Sequence, residues 1–335
     1  MLLFFADAAH DFVHCRADVQ GCDGVGPHSV ATTEGVDHLV VFVAHRWTLE
    51  TSAALEASEI GVSGDASQVQ TFVFFKPAMA LAWRATERLQ LRLGARHTVG
   101  QLDFSDFAAS TDLTNNTTAA GNPDLGPDQT TRYYVAIDYR GKGDVAARLE
   151  AYYEDRSDVL EQIILPSGAP GLANAGDARF SGLKGSLTLP LDRLLKGARL
   201  TAEGEVKHSQ FLDPITQRDR SLSFVYSPEF KAEFRHDPPH RPISWGLSVE
   251  LGDRGDLYLV DQIDALRADE VFGGFVETTA IGGFKTRLAI RNADTQSSRR
   301  LRTFFDPDRR GTISGTEERF TRSPVYLTLT LSDTF

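Results

Sequence analysis

Long hydrophobic runs are missing from this sequence of 335 residues. The longest unbroken apolar stretches are Met1–Ala6, Leu39–Ala44 and Ala78–Trp83, far short of the ~20 residues that a transmembrane helix requires. Cysteine is nearly missing too. Cys15 and Cys22 are the only 2, too few for a disulfide framework or a four-thiolate zinc site. Positive charge is in deficit: 35 Lys and Arg against 46 Asp and Glu leave a net charge of −11, which argues against binding nucleic-acid phosphates. Sustained helical spacing is found nowhere. Nor is a secretory signal readable, because Met1–Ala9 has no basic start and carries Asp7 inside its apolar stretch. A chain exported from the cytoplasm is therefore expected to have further sequence ahead of Met1. Hydrophobic material itself is not lacking: at 41% it is enough for a folded chain rather than a disordered one.

What is present is alternation with period two, the mark of strands with one face in an apolar medium. Tyr133, Val135, Ile137 and Tyr139 fall on one face, and Arg132, Asp138 and Arg140 on the other. The same separation holds for Leu149, Ala151 and Tyr153 against Arg148, Glu150 and Glu154, and for Phe230, Ala232 and Phe234 against Lys231, Glu233 and Arg235. Strands are expected near 36–46, 49–58, 70–83, 88–99, 131–140, 145–154, 178–189, 198–209, 221–235, 243–252, 270–279, 284–292 and 323–335. Pro77 and Pro228 lie inside two of these and mark bulges or an edge. Connections alternate in length. Short ones such as Gly141–Asp144 and Pro190–Gly197 are rich in Gly, Pro and Asp, and long ones lie near 59–69, 100–130, 155–177, 210–220, 253–269 and 293–322. The fold class expected is all-β: a transmembrane antiparallel β-barrel with short turns on one rim and long loops on the other. A large soluble antiparallel protein, a sandwich or propeller, also alternates and stays open as an alternative. Against it, charges recur opposite the apolar face on successive strands, as a polar lumen requires.

Particular residues then carry a resemblance. Asn122-Pro123-Asp124-Leu125-Gly126-Pro127-Asp128-Gln129, entering a Tyr-rich strand, resembles the Asn-Pro-x-Leu-x-Pro-Glu element of TonB-dependent outer-membrane receptors, with Asp128 in place of the usual Glu. Further matches are Val99–Phe107, Tyr153–Val159, Pro190-Leu191-Asp192 and Leu212-Asp213-Pro214-Ile215-Thr216. The final strand, with Val325, Leu327, Leu329 and Leu331 on one face and Phe335 last, resembles the signal read by the barrel-assembly machinery, although Asp333 stands where an apolar residue is usual. The resemblance covers 36–335. It implies a barrel of about 22 strands with a plugged lumen, driven by TonB to import ferric siderophores, cobalamin, haem or glycans. It also implies outer-membrane lipids, lipopolysaccharide and the assembly machinery as partners. No plug or TonB-binding segment is recognisable ahead of the barrel-like region, so TonB is expected to act only through a plug outside this chain. The strands here correspond to the C-terminal part of such a barrel.

Residues 1–35 form an irregular segment that fits neither barrel nor plug. They contain His10, His14, Cys15, Cys22 and His28. Two His and two Cys make a closed zinc set in principle, but the spacing is irregular and no metal or cofactor is assigned. Glu150, Glu154, Asp155 and Asp158 are read as wall and rim carboxylates rather than an acid–base pair. There is no G-x-S-x-G, H-E-x-x-H or phosphate-binding glycine loop, so an enzyme is not expected. In the last long loop Arg299, Arg300, Arg302, Arg309 and Arg310 surround Phe304 and Phe305. Their guanidinium groups are candidates for capturing an anionic ligand, against contact with lipopolysaccharide phosphates or plain solvation. A passive pore or structural barrel, and an outer-membrane enzyme, remain as rival functions.

Overall fold

The computed structural model describes residues 2–8, 29–62, 68–102, 107, 110–112, 117–281 and 284–332. No helix among them is long and apolar enough to cross a membrane. The chain runs antiparallel through β1 (Leu2–Ala8), β2 (Ser29–Ala44), β3 (Trp47–Val62), β4 (Gln68–Arg84) and β5 (Leu89–Val99). A small hairpin, β6 (Ser110–Asp112) and β7 (Thr117–Ala119), precedes β8 (Gln129–Arg140) and β9 (Ala146–Ser157). The next long connection holds β10 (Leu160–Ile164) and β11 (Pro170–Asn174), and then come β12 (Ala178–Pro190) and β13 (Ala198–Leu212). Short β14 (Asp219–Arg220) pairs with the end of β13 ahead of β15 (Glu229–His236) and β16 (Ile243–Glu250). The hairpin β17 (Arg254–Tyr258) and β18 (Gln262–Ala268) leads to β19 (Val271–Ile281) and β20 (Phe284–Arg291). The hairpin β21 (Ser297–Asp306) and β22 (Thr312–Arg322) leads to β23 (Tyr326–Ser332).

The main sheet has the order β1-β2-β3-β4-β5-β8-β9-β12-β13-β15-β16-β19-β20-β23, a meander without crossovers. Among the described residues β1 and β23 each have one neighbour, so the sheet is open at both ends. All thirteen expected strand regions carry strands of this sheet, and β1 lies ahead of them in the segment read as irregular. β1 pairs with Asp37–Val43 of β2, and β2 starts at Ser29, before the expected barrel boundary at 36.

Register follows the alternation. Across β8, β9, β12 and β13, Val135 lies opposite Ala151, then Leu183, then Val206, in one outward row. Outward residues are uncovered: Val135 is 51% exposed, Leu149 47%, Leu183 48% and Val206 60%, while inward Ala136 is at 0%. A one-residue slip would turn all of them to the charged face, so the pattern fixes the pairing. The β8–β9 turn is closed by the Gly141 N–H donating to Val145 O at 2.7 Å. Gly143 and Asp144 take the left-handed conformation there, with φ of 63° and 59°, which Gly and Asp adopt at least cost.

Some expectations need correction. The strand expected over 221–235 begins at Glu229, because Leu222 leaves the sheet to pack with Val159, Ala178, Phe180 and Phe211. Pro228 therefore precedes the ladder instead of interrupting it. Pro77 pairs with Ala53 of β3, one residue past the last β4–β5 partner, Ala78, where its missing N–H interrupts no β5 contact. Several long connections carry strands of their own. β17, β18, β21 and β22 form a four-stranded sheet of their own at the long-loop rim. His10, His14, Cys15, Cys22, His28, Asp333 and Phe335 lie outside the described residues.

The uncovered outer face makes a measurable difference between neighbours. Leu149→Arg, in mid-strand on that face, should cost roughly 2–4 kcal/mol in a lipid refolding titration. Ser186→Arg, on the inner face of β12 beside Arg148, should cost much less. Equal losses would mean that the faces are assigned wrongly.

Candidate functional site

The inner wall is charged, and its charges are paired laterally within the sheet. Arg132 donates to Glu150 Oε1 and Glu154 Oε1, each at 2.6 Å, and its guanidinium stacks 3.7 Å from the Tyr152 ring centroid. Arg148 bridges Asp138 at 3.0 Å and Glu150 at 2.6 Å. Arg156 donates to Glu154 at 2.6 Å and lies 3.9 Å over the Phe180 ring. The Tyr152 hydroxyl donates to Glu205. Cross-strand neighbours at fixed register bring these groups together, so the wall carries a neutralised lattice. Towards the long-loop rim it opens on a recess of about 380 Å³ between Arg132, Tyr152, Glu154 and the loop residues Leu222, Ser223 and Phe224.

Above that recess stands a buried junction. Asp213, just beyond β13, is fully buried and closes a local turn by accepting the Ile215 N–H at 2.9 Å. Its carboxylate also accepts Arg220 Nε at 3.0 Å, Arg309 Nη2 at 3.1 Å, and Arg309 Nη1. Arg220 continues to Glu161 at 2.9 Å, and Glu161 accepts both the N–H and the hydroxyl of Ser223, at 2.7 and 2.8 Å. Arg220 lies 4.2 Å over the Tyr258 ring, and Arg309 donates to Leu259 O at 2.6 Å. Burial pushes the Asp213 carboxyl up, but the hydrogen bonds from Arg309 and Ile215 and the two guanidinium charges outweigh it and hold it at about 2.

The arginines of the last long connection each have a carboxylate partner. Arg299 pairs with Glu318 across β21–β22, Arg300 with Asp264 of β18 at 2.8 Å, and buried Arg302 with Glu317. Arg309 reaches Asp213, and Arg310 donates to Asp308 at 2.6 Å. That contact, together with the Arg310 N–H, holds the Asp308 carboxyl at about 2. Phe304 and Phe305 are half-buried, with Arg302 5.6 Å over the Phe304 ring. Among the described residues no three or more His, Cys, Asp or Glu gather as metal ligands.

The family model for the TonB-dependent receptor-like β-barrel matches residues 38–312. The chain belongs to this family. Among solved structures it is similar to the ferric-catecholate import receptor Fiu from K12 E. coli, with a TM-score of 0.61, 11% identity, and 92% of this chain covered against 45% of that one. The ferric enterobactin receptor PfeA of Pseudomonas aeruginosa gives 0.55, 13%, 90% and 54%. The FrpB iron transporter of Neisseria meningitidis gives 0.58, 12%, 80% and 41%. At such identities the likeness is one of fold. The chain spans about half the length of these structures, from 41% to 54%. A comparison with curated proteins finds no match.

In this receptor barrel the Asn-Pro element is a clasp between long connections. Asn122 Oδ1 accepts the Asp124 N–H at 3.0 Å, and Asn122 Nδ2 donates to Leu172 O at 2.9 Å. Leu125 and Pro127 are buried, and Pro123 O accepts Gln70 Nε2. Asn174 holds Gly126 from both sides, at 2.8 and 2.7 Å, and reaches Asp158 O at 2.8 Å. Asp128, the departure from the family pattern, lies against Gly100, where an added Cβ would sit 1.8 Å from its Oδ1. Leu327, Leu329 and Leu331 are outward and exposed, Leu327 by 70%, and Val325, just ahead of β23, is exposed as well.

Asn174, Glu161, Arg220 and Tyr258 were not singled out from sequence. Asp213 was noticed only inside Leu212–Thr216, whose Asp-Pro-x-Thr pattern announces the local turn but not its arginine partners, up to 96 residues away.

Two outcomes follow. Asn174→Ala should lose about 1–3 kcal/mol of stability at the rim, seen as faster protease nicking between 120 and 128. Because the folded Asp213 pKa of about 2 lies below its ordinary value of 3.8, its contribution is complete above pH ~4 and is lost as pH falls through ~2, on the order of 2 kcal/mol. Near-ultraviolet circular dichroism of the rim tyrosines over that window should show the loss, and Asp213→Asn should abolish the transition.

Proposed function

We propose that this chain forms the wall and outer mouth of an outer-membrane receptor that imports a scarce nutrient carried as a small chelate or complex. The observation that carries this reading is the family match over 38–312 on a sheet with an apolar outer face and a charged inner one. The cargo is of the kind named for its fold relatives: a ferric catecholate for Fiu, ferric enterobactin for PfeA, copper for OprC. Energy comes from TonB, which acts through a plug supplied outside the described strands. The open edges at β1 and β23 are closed by further strands, since unpaired backbone groups in hydrocarbon cost several kcal/mol each. Lipopolysaccharide surrounds the outer rim, and the barrel-assembly machinery reads the C-terminal sequence, with Leu327, Leu329 and Leu331 on one face of β23 and Phe335 as its last residue. Arg299, Arg300, Arg302, Arg309 and Arg310 serve the mouth mainly by fastening it through their carboxylate partners. Nothing in the reading calls for an enzyme.

The test is uptake of radiolabelled ferric catecholate, cobalamin and copper in cells lacking their own receptors. Residues 1–335 alone should give no TonB-dependent uptake. The same chain joined to a plug-bearing N-terminal portion should give uptake of one class that disappears when TonB is deleted. TonB-dependent uptake by residues 1–335 alone would refute the need for a plug. Uptake by the joined chain that is indifferent to TonB would favour a passive pore.

A further inference from the structure

The buried junction at the long-loop rim draws one residue or more from each of four consecutive long connections. Glu161 comes from the connection after β9, and Asp213, Arg220 and Ser223 from the one after β13. Tyr258 and Leu259 come from the connection after β16, and Arg309 from the one after β20. The carboxylates and guanidinium groups are almost wholly buried: the side chains of Asp213, Glu161, Arg309 and Arg220 are exposed by 0%, 2%, 3% and 8%. Charges removed from water to this extent persist only when fully paired, and removing one partner leaves the others stranded. Backbone bonds run between the same connections. The Phe224 N–H donates to Asp256 O at 3.0 Å, the Arg309 N–H to Val260 O at 3.1 Å and the Phe305 N–H to Asp261 O at 2.8 Å. The Val260 N–H donates to the Gln162 side chain at 3.2 Å. Strands β18 and β21, from different connections, pair over seven residues from Gln262 to Ala268. Beneath, Leu222 is seated among Val159, Phe180 and Phe211 on the inner wall.

We infer that these four connections form one cap that opens and closes as a single body, with Asp213 as the latch that joins its parts. A connection held only by its own hairpin would open alone. Here, breaking the Asp213 contacts frees Arg309 and Arg220 together and with them the grip on Glu161, Ser223 and the Tyr258 ring. The clasp at Asn122 and Asn174 attaches the connection after β5 to the cap's flank, outside the junction. The inference concerns how the mouth moves and stands whatever the barrel carries.

Hydrogen–deuterium exchange on this chain joined to a plug-bearing N-terminal portion that supplies the further strands, in lipid nanodiscs, tests it. In the unaltered protein under mild denaturant, peptides from 158–177, 213–228, 251–270 and 297–322 should share one opening equilibrium with one denaturant dependence, distinct from that of the wall strands. In Asp213→Asn all four should exchange faster by on the order of 100-fold, while the β8–β9 hairpin keeps its rates. Four separate opening equilibria in the unaltered chain would overturn the inference, as would acceleration confined to 213–228 in the variant. Should Asp213→Asn not fold, the measurement on the unaltered chain decides alone.

Discussion

Backbone N–H and C=O groups that meet hydrocarbon have no water to turn to, so every one must find its partner in a neighbouring strand. That requirement fixes most of what is seen here. It explains a meander without crossovers, and the placing of Pro77 where a ladder has already stopped. It also makes register a matter of solvent rather than of core packing. Among the described residues buried hydrophobic side chains are few, and many large apolar residues from Val69 to Leu331 lie uncovered. In a water-soluble protein such a surface would drive association. Facing lipid it is the solvated side, and the protein's own packing is confined to the wall and the rim.

On the inner face the problem is reversed. Arginine and glutamate must be kept soluble without being free to collapse into a wrong register. The lattice of Arg132, Glu150, Glu154, Arg148 and Asp138 does this by pairing each charge with residues on the same or the adjacent strand. Partly exposed pairs of this kind contribute little individually. Their collective effect is to hold the inward rotamers in a fixed array, with Tyr152 and Phe180 rings beneath the guanidinium groups. At the rim the same residue types are used differently. Around Asp213 water is excluded, and the pairs become the element on which four connections depend.

The Asn122–Gln129 clasp shows how a sequence element of receptors in this family earns its place physically. Pro123 and Pro127 stiffen the return into β8, Asn122 closes the turn, and Asn174 from a distant hairpin supplies the hydrogen bonds that the irregular backbone would otherwise lack. Placing Asp128 against Gly100 joins the same return to the end of β5, where the Gly100 N–H donates to Asp128 O at 2.7 Å.

The period-two alternation of β8, β9, β13 and β16 was enough to place those strands and their faces, because a side chain's direction in a strand is set by parity alone. Gly141–Asp144 announced its turn through residues that accept positive φ, and Asn122–Asp128 announced its family through two prolines at fixed spacing. The hairpins β10–β11, β17–β18 and β21–β22 escaped because their faces are not divided into apolar and polar. Arg299, Arg300 and Arg302 face Glu318, Asp264 and Glu317, and alternation carries no signal where both sides are charged. For the same reason the arginines, read as candidates for an anionic ligand against lipopolysaccharide contact or plain solvation, gave no sign along the chain of their carboxylate partners. Two of those partners, Asp264 and Asp213, lie on other connections, and sequence has no local term for a contact across 96 residues such as Asp213 with Arg309. Parity is a property of neighbours and can be read along the chain. Pairing between distant loops is a property of the closed fold, where burial makes an unpaired charge too costly to leave.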